Sequence, residues 1–349
     1  MEDMEAIVGT QAPGGDASVY ATWDAGRRYR LVPAGKVLAV RVPANFPTIN
    51  ISWLQALAMR RPCVLVASPA DPFTPLSIAA ALYAAGLPKG ALSLCYGDAP
   101  GVFASVDQIV WPGLPDPAQM PHQTPTFLYH FGESKLVLST TPSSDSRVWG
   151  RIVGSIAQGC GRLCTNTSAI IVVGEAAREV AVVLGHALAS LPLVGLNQSD
   201  SIVPAFPDEN QAHALAERIQ KAIDDGAIDI SGEITKLPLL AQRDGMVFLR
   251  PTVLLVRPDN PLFGAELPFP FVTVTAADVS AVPRLCRNSL SVGIWGGSRS
   301  LVEELLLSPT IEKVFSDDDF DHQYDPREPH QGYLADFLFR KKAATAPVT

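Results

Sequence analysis

The apolar positions along the chain divide it into short elements whose period switches between two and 3.6. "SVYATW" and "RRYRLV", joined across "DAG", read as a hairpin over Val19–Val32 and as the first ordered element, because residues 1–18 are Gly-, Ala- and Asp-rich without a period. "GKVLAVRVPANFP" is an apolar strand ending in Pro and Asn. "TINISWLQALAMR" follows with Ile51, Leu54, Leu57 and Ala58 at helical spacing. The unit recurs as the strand "PCVLVAS", the helix "TPLSIAAALYAAG" with Pro75 in its first turn and Gly86 at its end, and the strands "ALSLCYG" and "SVDQIVW". Near-continuous apolar strands alternating with helices predict a parallel sheet covered on both faces, an architecture of the nucleotide-binding type.

The proline-rich stretch "LPDPAQMPHQTPT", Leu114–Thr126, favours extended backbone and is read as the connection out of this first domain. A second βα series begins at "KLVLST" and runs through the helix "SRVWGRIVGSIAQGC", whose stripe is Trp149, Ile152, Val153, Ile156 and Cys160, into the strand "AIIVV". Helices are expected around Ala176–Leu191, Asn210–Asp225 and Leu301–Leu307, and strands around "FLRPTVLLV", "FPFVTVT" and "SLSVGIW". The tail "GYLADFLFRKKAATAPVT" shows no core role and reads as an extended segment that pairs with another sheet or subunit. The domains expected are a short N-terminal segment with the hairpin (1–35), a Rossmann-like domain (36–127), a catalytic α/β domain (128–308) and a C-terminal return segment (309–349).

Composition narrows the function classes. A chain of 349 residues, 47% hydrophobic, can bury cores for two domains. Its formal charge of -8 and the lack of a basic patch argue against nucleic acid. Apolar runs such as "AIIVV" fall far short of the ~20 residues of a spanning helix, and "MEDMEA" does not read as a signal peptide, so a cytoplasmic protein without a membrane partner is expected. Five cysteines, an odd number without a close-spaced framework, fit reduced thiols.

Cys160 and Cys164 carry the first chemical question. Zinc would need two further ligands at a fitting spacing, and no second Cys/His pair supplies them, so no metal site is expected. Cys160 reads as a packing residue on its helix stripe. Cys164 lies on the helix-to-strand loop, where it is either structural or a nucleophile whose thiolate nearby amides or Arg162 would favour. Asn45, at the end of the first strand, stands where parallel sheets bind ligands, and it equally suits a turn or helix cap. No G-x-G-x-x-G fingerprint or P-loop occurs. The acidic run Asp317–Asp325, with His322, lacks EF-hand spacing and reads as a solvated loop.

Several segments, in order, resemble the aldehyde dehydrogenase superfamily. "VLAVRVPANFP" is similar to its first Rossmann strand and "P-x-N-F-P" turn, and "ALYAAGLPKGALSLCYG" to its "EAGLPxGVxNxxxG" segment. "QGCGRLCTNTSAIIV" resembles the segment around the family's catalytic cysteine, "VFLRPTVLLV" its "PTxL" strand and "FGAELPFPFVTV" its "EExFGPV" motif. The resemblance implies an α/β fold with a Rossmann-type parallel-sheet nucleotide domain and a second α/β catalytic domain. It implies Cys164 as thiol nucleophile, with Asn45 and the Cys164 amide as the oxyanion hole. Glu266 would hold the ribose of NAD or NADP, and Ser68, Trp111 and Gly113 would line the cofactor edge.

The departures bear on the reaction. Ala67 stands where the family's cofactor-binding lysine belongs, and "WPGL", Trp111–Leu114, matches the "FTGS" turn loosely. "LYHFGES" lines up with "LELGG", so that His130 takes the place of the general-base glutamate, and the N-terminal helical segment is much shorter than usual. Acylating members, which pass the acyl group to a thiol such as coenzyme A, commonly lack that glutamate, and "DPFTP" resembles their acyl-CoA reductase branch. His130 is itself a candidate base, since imidazole titrates near neutrality. The expected activity is an NAD(P)-linked oxidation of an aldehyde, or reduction of an acyl thioester, through a thioester on Cys164. The alternatives are a non-catalytic scaffold or partner subunit that has lost cofactor binding, and a cofactor-free cysteine acyltransferase or thioesterase. "FRKKAATAPVT" resembles the family's oligomerisation strand, so a homodimer is expected.

Overall fold

Strands that are apolar on both faces need cover on both, and the chain provides it in two separate units. The computed structural model describes residues 2–11, 21–24, 27–114, 116–121, 123–143, 147–192, 202–322 and 325–344. One unit comprises residues 1–130 and 325–349, the other residues 131–324.

The first unit is built on five parallel strands, β1 (Leu38–Val42), β2 (Cys63–Ala67), β3 (Leu92–Tyr96), β4 (Gln108–Pro112) and β5 (Thr126–Tyr129), in the order β3-β2-β1-β4-β5. That order is doubly wound: the chain first steps one way from β1, then returns to build outward on its other side. Leu38, Val40 and Leu65 face one core with Trp53 of helix α1 (Ile51–Ala58), while Ala39, Val66, Ile109 and Trp111 face another with Phe103. The Trp53 ring is fully buried, and its indole N–H donates to the buried Asn50 Oδ1 at 2.8 Å. Helix α2 (Phe73–Ala84) makes the next crossover.

Outside this sheet, the hairpin strands Ala21–Asp24 and Arg27–Pro33 form as expected, and the terminal strand Phe339–Ala344 pairs antiparallel with the second of them. Four expectations need correction here. Residues 2–11, read as aperiodic, form a helix, because Met4, Ile7 and Val8 recur at helical spacing and Val8 is buried against the first core. The proline-rich stretch is not an exit from the domain but the connection from β4 to β5; Pro115 and His122 lie outside the described residues. The boundary expected at 127 accordingly falls inside β5. The tail is not without a core role either, since Leu334, Ala335 and Leu338 of its short helix Leu334–Leu338 are buried in the first core.

The second unit holds the strands β6 (Ser134–Leu138), β7 (Thr167–Val173), β8 (Thr252–Leu255), β9 (Phe271–Ala277), β10 (Ser289–Trp295) and β11 (Ile311–Ser316), parallel and in the order β8-β9-β7-β6-β10-β11. A two-residue strand, Ile228–Asp229, closes the β8 edge antiparallel. One face carries Leu136, Ile170, Val172 and Val272 against helices α3 (Val148–Ala157) and α4 (Ala177–Ala189); the other carries Val137, Ile171, Val292 and Ile294 with Cys286 and helix α5 (Arg299–Leu306). β11 corrects the boundary expected at 308: residues 311–316 complete this sheet and do not begin a return segment. The acidic run is not wholly solvated, since Asp321 pairs with Arg151 of α3 and the His322 ring packs on Phe315. Among the described residues, no helix is long and apolar enough to cross a membrane.

Burial of the thiols sets an alkaline limit on stability. Desolvation pushes Cys63 and Cys286 up to about 12, from an ordinary value of 9.0. Above pH 9 the unfolded chain loses these protons first, so folding stability, full below that pH, declines toward pH 12. Urea denaturation between pH 8 and pH 11 should show this decline, with a shallower slope for the double variant Cys63→Ala/Cys286→Ala. Equal slopes would show that other groups set it.

Candidate active site

The cysteine loop is shaped by backbone that only particular residues allow. Helix α3 ends at Ala157, and Gly159, Cys160 and Gly161 follow with φ of 58°, 61° and 70°. Cys160 is therefore not on the apolar stripe of the helix but half-buried in a left-handed turn beyond it, a correction whose cause is the pair of flanking glycines. At Gly161 a Cβ would lie 2.4 Å from the Phe269 carbonyl carbon. The chain can pass there only as glycine.

Asn166 fastens the loop that follows. Its Oδ1 accepts from the Leu163 N–H at 2.7 Å, and its Nδ2 donates to the Ser155 and Gln158 carbonyls at 3.0 Å each. The buried amide thus satisfies carbonyls that the end of α3 leaves open and fixes the turn that presents Cys164. Cys164 is half-buried, and its carbonyl accepts from Ser134 Oγ at 3.0 Å. Ser168 Oγ lies 3.1 Å from the Ser134 carbonyl and 2.9 Å from that of Gly264. Thr273 Oγ1 donates to the Ser168 carbonyl, and Gly264 N–H approaches the same hydroxyl at 3.2 Å. A chain of hydroxyls thus ties the cysteine loop to the turn before Glu266.

Glu266 completes the cluster. Its Oε2 accepts the Gly132 N–H at 2.8 Å, and the neighbouring Glu133 amide adds a weaker pull in favour of the carboxylate. Gly132 in turn lies flat against Cys164: a Cβ on it would stand 1.5 Å from the Cys164 carbonyl oxygen. Burial raises the Glu266 carboxyl above its ordinary range against the pull of the Gly132 amide, and the Glu133 charge adds to the rise. Burial first, then the Glu266 charge, push the Cys164 thiol up to about 12; its own amide, Lys313 and the Thr165 amide act the other way. The cation that acts on this thiol is Lys313 of β11. Arg162, expected from its nearness in sequence, donates instead to the Pro268 and Ala205 carbonyls. The resting site therefore holds a neutral thiol beside a desolvated carboxylate.

The remaining residues singled out from sequence lie in the first unit, most of them at the carboxyl ends of its strands. Asn45 is exposed on the bend after β1, and Ser68 follows β2, its N–H donating to the Val42 carbonyl. Trp111 is buried at the end of β4 with its indole N–H on the Leu114 carbonyl; Gly113, φ 81°, donates its N–H to Tyr129. Asn45, Trp111 and Gly113 thus flank the point between β1 and β4 where the strand order reverses, the place where doubly wound sheets take nucleotides. A Cβ at Gly113 would meet nothing within 4 Å, so a ligand can approach its backbone. These features fit a dinucleotide at that edge. Ala67 ends β2 with no side-chain cation, and the Thr74 N–H at the start of α2 is taken by Asp71 Oδ1 at 3.0 Å. His130 is exposed beyond β5, its carbonyl accepting from Gln331. Among the described residues no group of three or more His, Cys, Asp or Glu side chains is placed to hold a metal ion.

Gly132, Ser134 and Asn166 were not legible as site residues from sequence. Only the small-residue pattern around Cys164 and "FGES" hinted at them.

A doubly wound parallel sheet with an open switch point, and a second parallel sheet that carries a cysteine on a glycine-shaped loop, define a two-domain α/β enzyme of the nucleotide-linked dehydrogenase class. The sequence profile of the aldehyde dehydrogenase family matches residues 6–106 and 133–297, more than half of the chain, and the protein belongs to that family of oxidoreductases. No curated protein matches the sequence. Among solved structures, the chain is similar to the aldehyde dehydrogenase KauB from Pseudomonas aeruginosa, with a TM-score of 0.76 and 19% identity over 93% of this chain and 71% of that one. It is similar to gamma-glutamyl-gamma-aminobutyraldehyde dehydrogenase from Burkholderia cenocepacia, with a TM-score of 0.78 and 20% identity over 98% and 75% of the two chains. A third likeness is to an aldehyde dehydrogenase from Bacillus cereus solved as an NAD+ complex, at 0.73 and 18% over 100% and 81%. At these identities the likeness is one of fold.

Proposed function

We propose that the protein oxidises an aldehyde, or reduces an acyl thioester, through a covalent thioester on Cys164. The observation that carries this is the built cysteine site: a half-buried thiol on a loop held by Asn166, Gly161 and Gly132, beside the Glu266 carboxylate. Such a thiol adds to a carbonyl carbon as its proton leaves, and the developing oxyanion is met by the Cys164 amide, with Asn45 as the second donor on the resemblance. On the resemblance, Glu266 and, in the first unit, Ser68, Trp111 and Gly113 are the residues that would hold NAD(P), which would supply the hydride-accepting group. The thioester left on Cys164 is then released to water or to a thiol.

No carboxylate stands at His130, the position matched to the family's hydrolytic base, and this favours an acylating outcome with coenzyme A as acceptor. If the acyl-enzyme is instead hydrolysed, His130 is the residue matched to the base that activates water. A second reading, cofactor-free acyl transfer or a non-catalytic role, is favoured by two observations. β2 ends without a cation, and the Glu266 carboxylate already accepts the Gly132 N–H.

Fluorescence titration of the purified protein with NADH and NADPH separates these. Saturable quenching or enhancement at micromolar to low millimolar cofactor is expected, followed by aldehyde turnover that coenzyme A accelerates. No binding at millimolar cofactor would overturn the dehydrogenase reading.

A further inference from the structure

The residue after Ser134 is a lysine inside a strand, in "FGESKLVL". Lys135 of β6 is 4% exposed, and burial lowers its ammonium against the opposing pull of Glu133 and Cys286. Its Nζ donates to the Glu133 carbonyl at 2.9 Å, to Ser289 Oγ at 2.8 Å and to the Arg287 carbonyl at 3.4 Å. A buried charge with three acceptors is a costly way to fill a strand position that an apolar side chain could fill. What it secures is local geometry.

Glu133 is held at φ 42°, a left-handed conformation that a non-glycine residue adopts at a cost. The residue before it, Gly132, donates its N–H to the Glu266 carboxylate at 2.8 Å. Lys135 grips the carbonyl of this strained residue. Its stem also runs under Gly264, where a Cβ would stand 3.3 Å from Lys135 Cε, two residues before Glu266. The lysine thus touches both the residue that follows the Gly132 donor and the turn that delivers the carboxylate. The Leu290 N–H completes the frame on the Gly132 carbonyl at 2.7 Å.

We propose that Lys135 is a positioning residue for the active site: by holding the Glu133 carbonyl it keeps the neighbouring Gly132 amide aimed at Glu266 and so fixes that carboxylate beside Cys164. The inference rests on Cys164 being the reacting thiol. Without the ammonium the Glu133 turn relaxes, the Gly132 amide leaves the carboxylate, and Glu266 swings toward water. The thiol then loses a neighbouring negative charge and ionises more readily. The charged groups facing the thiol are Glu266 and Lys313; the titratable groups facing Lys135 are the Glu133 carboxylate and the Cys286 thiol.

The test is the pH profile of iodoacetamide alkylation at Cys164, read by peptide mass spectrometry, for the full chain and the variants Lys135→Met, Glu266→Gln and the double variant. Lys135→Met should react roughly tenfold faster at pH 8, the scale of one like charge removed from a thiol's surroundings. Glu266→Gln should react faster as well, and adding Lys135→Met to it should change nothing further. An unchanged or slower rate in Lys135→Met overturns the inference, as does an equal acceleration in the Glu266→Gln background, which would mark general loosening. Should Lys135→Met fail to fold by circular dichroism, Lys135→Gln is judged by the same outcomes. Because alkylation needs neither cofactor nor aldehyde, a protein without dehydrogenase turnover would refute the proposed function and leave this result readable.

Discussion

Cys164→Ala is expected to leave the fold intact and to abolish turnover. The side chain is half-buried, and the loop is held through the Cys164 backbone carbonyl, which accepts from Ser134 Oγ whatever the side chain. Unfolding free energies of the variant and parent should therefore agree within about 1 kcal/mol. Activity depends on the sulfur itself: without it no hemithioacetal or thioester forms, and the loss should be on the order of 10³-fold or more in kcat. The companion variant His130→Ala separates the later step, since a hydrolytic role predicts slower acid release with the first burst of reduced cofactor preserved. A Cys164→Ala protein that turns over a confirmed substrate at the parent rate would remove the thiol from the mechanism.

Gly132→Ala is expected to damage both stability and chemistry. A methyl group there would stand 1.5 Å from the Cys164 carbonyl oxygen and 2.4 Å from its carbonyl carbon, and both obstacles are backbone. Either the cysteine loop or the turn that seats Glu266 must give way. Overpacking of this kind costs about 1–3 kcal/mol, which corresponds to a fall in Tm of several degrees for a domain of this size. The Gly132 N–H would also lose its aim at Glu266. Differential scanning fluorimetry and Cys164 alkylation report the two effects separately. A variant with parental Tm and parental alkylation would show that this close approach is not maintained in solution.

Much of the fold was legible because it rests on local patterns. The runs "VLAVRV", "CVLVA" and "AIIVV" became buried parallel strands, and the 3.6-period stripes became α1, α2 and α3. The misreadings share one cause. Residues 2–11 carry too few apolar positions to declare a helix alone, and they fold because Val8 meets a core assembled from distant segments. The tail was misread for the same reason, since Leu334 and Leu338 are buried among residues some three hundred positions earlier in the chain. The α3 stripe runs on in sequence through Cys160, but three successive left-handed residues stop the helix first.

By itself the sequence determined the α/β class, the alternation that builds two parallel sheets, and the cysteine segment that marks the family. Periodicity, turn residues and short motifs are properties of neighbouring positions, so they can be read in order along the chain. Only the tertiary structure decided which groups surround the thiol. Gly132, Glu266 and Lys313 reach Cys164 from strand ends and turns far apart in sequence, and Lys135 acts at one further remove. Their contacts depend on strand order and register, and those are settled by burial across the whole sheet.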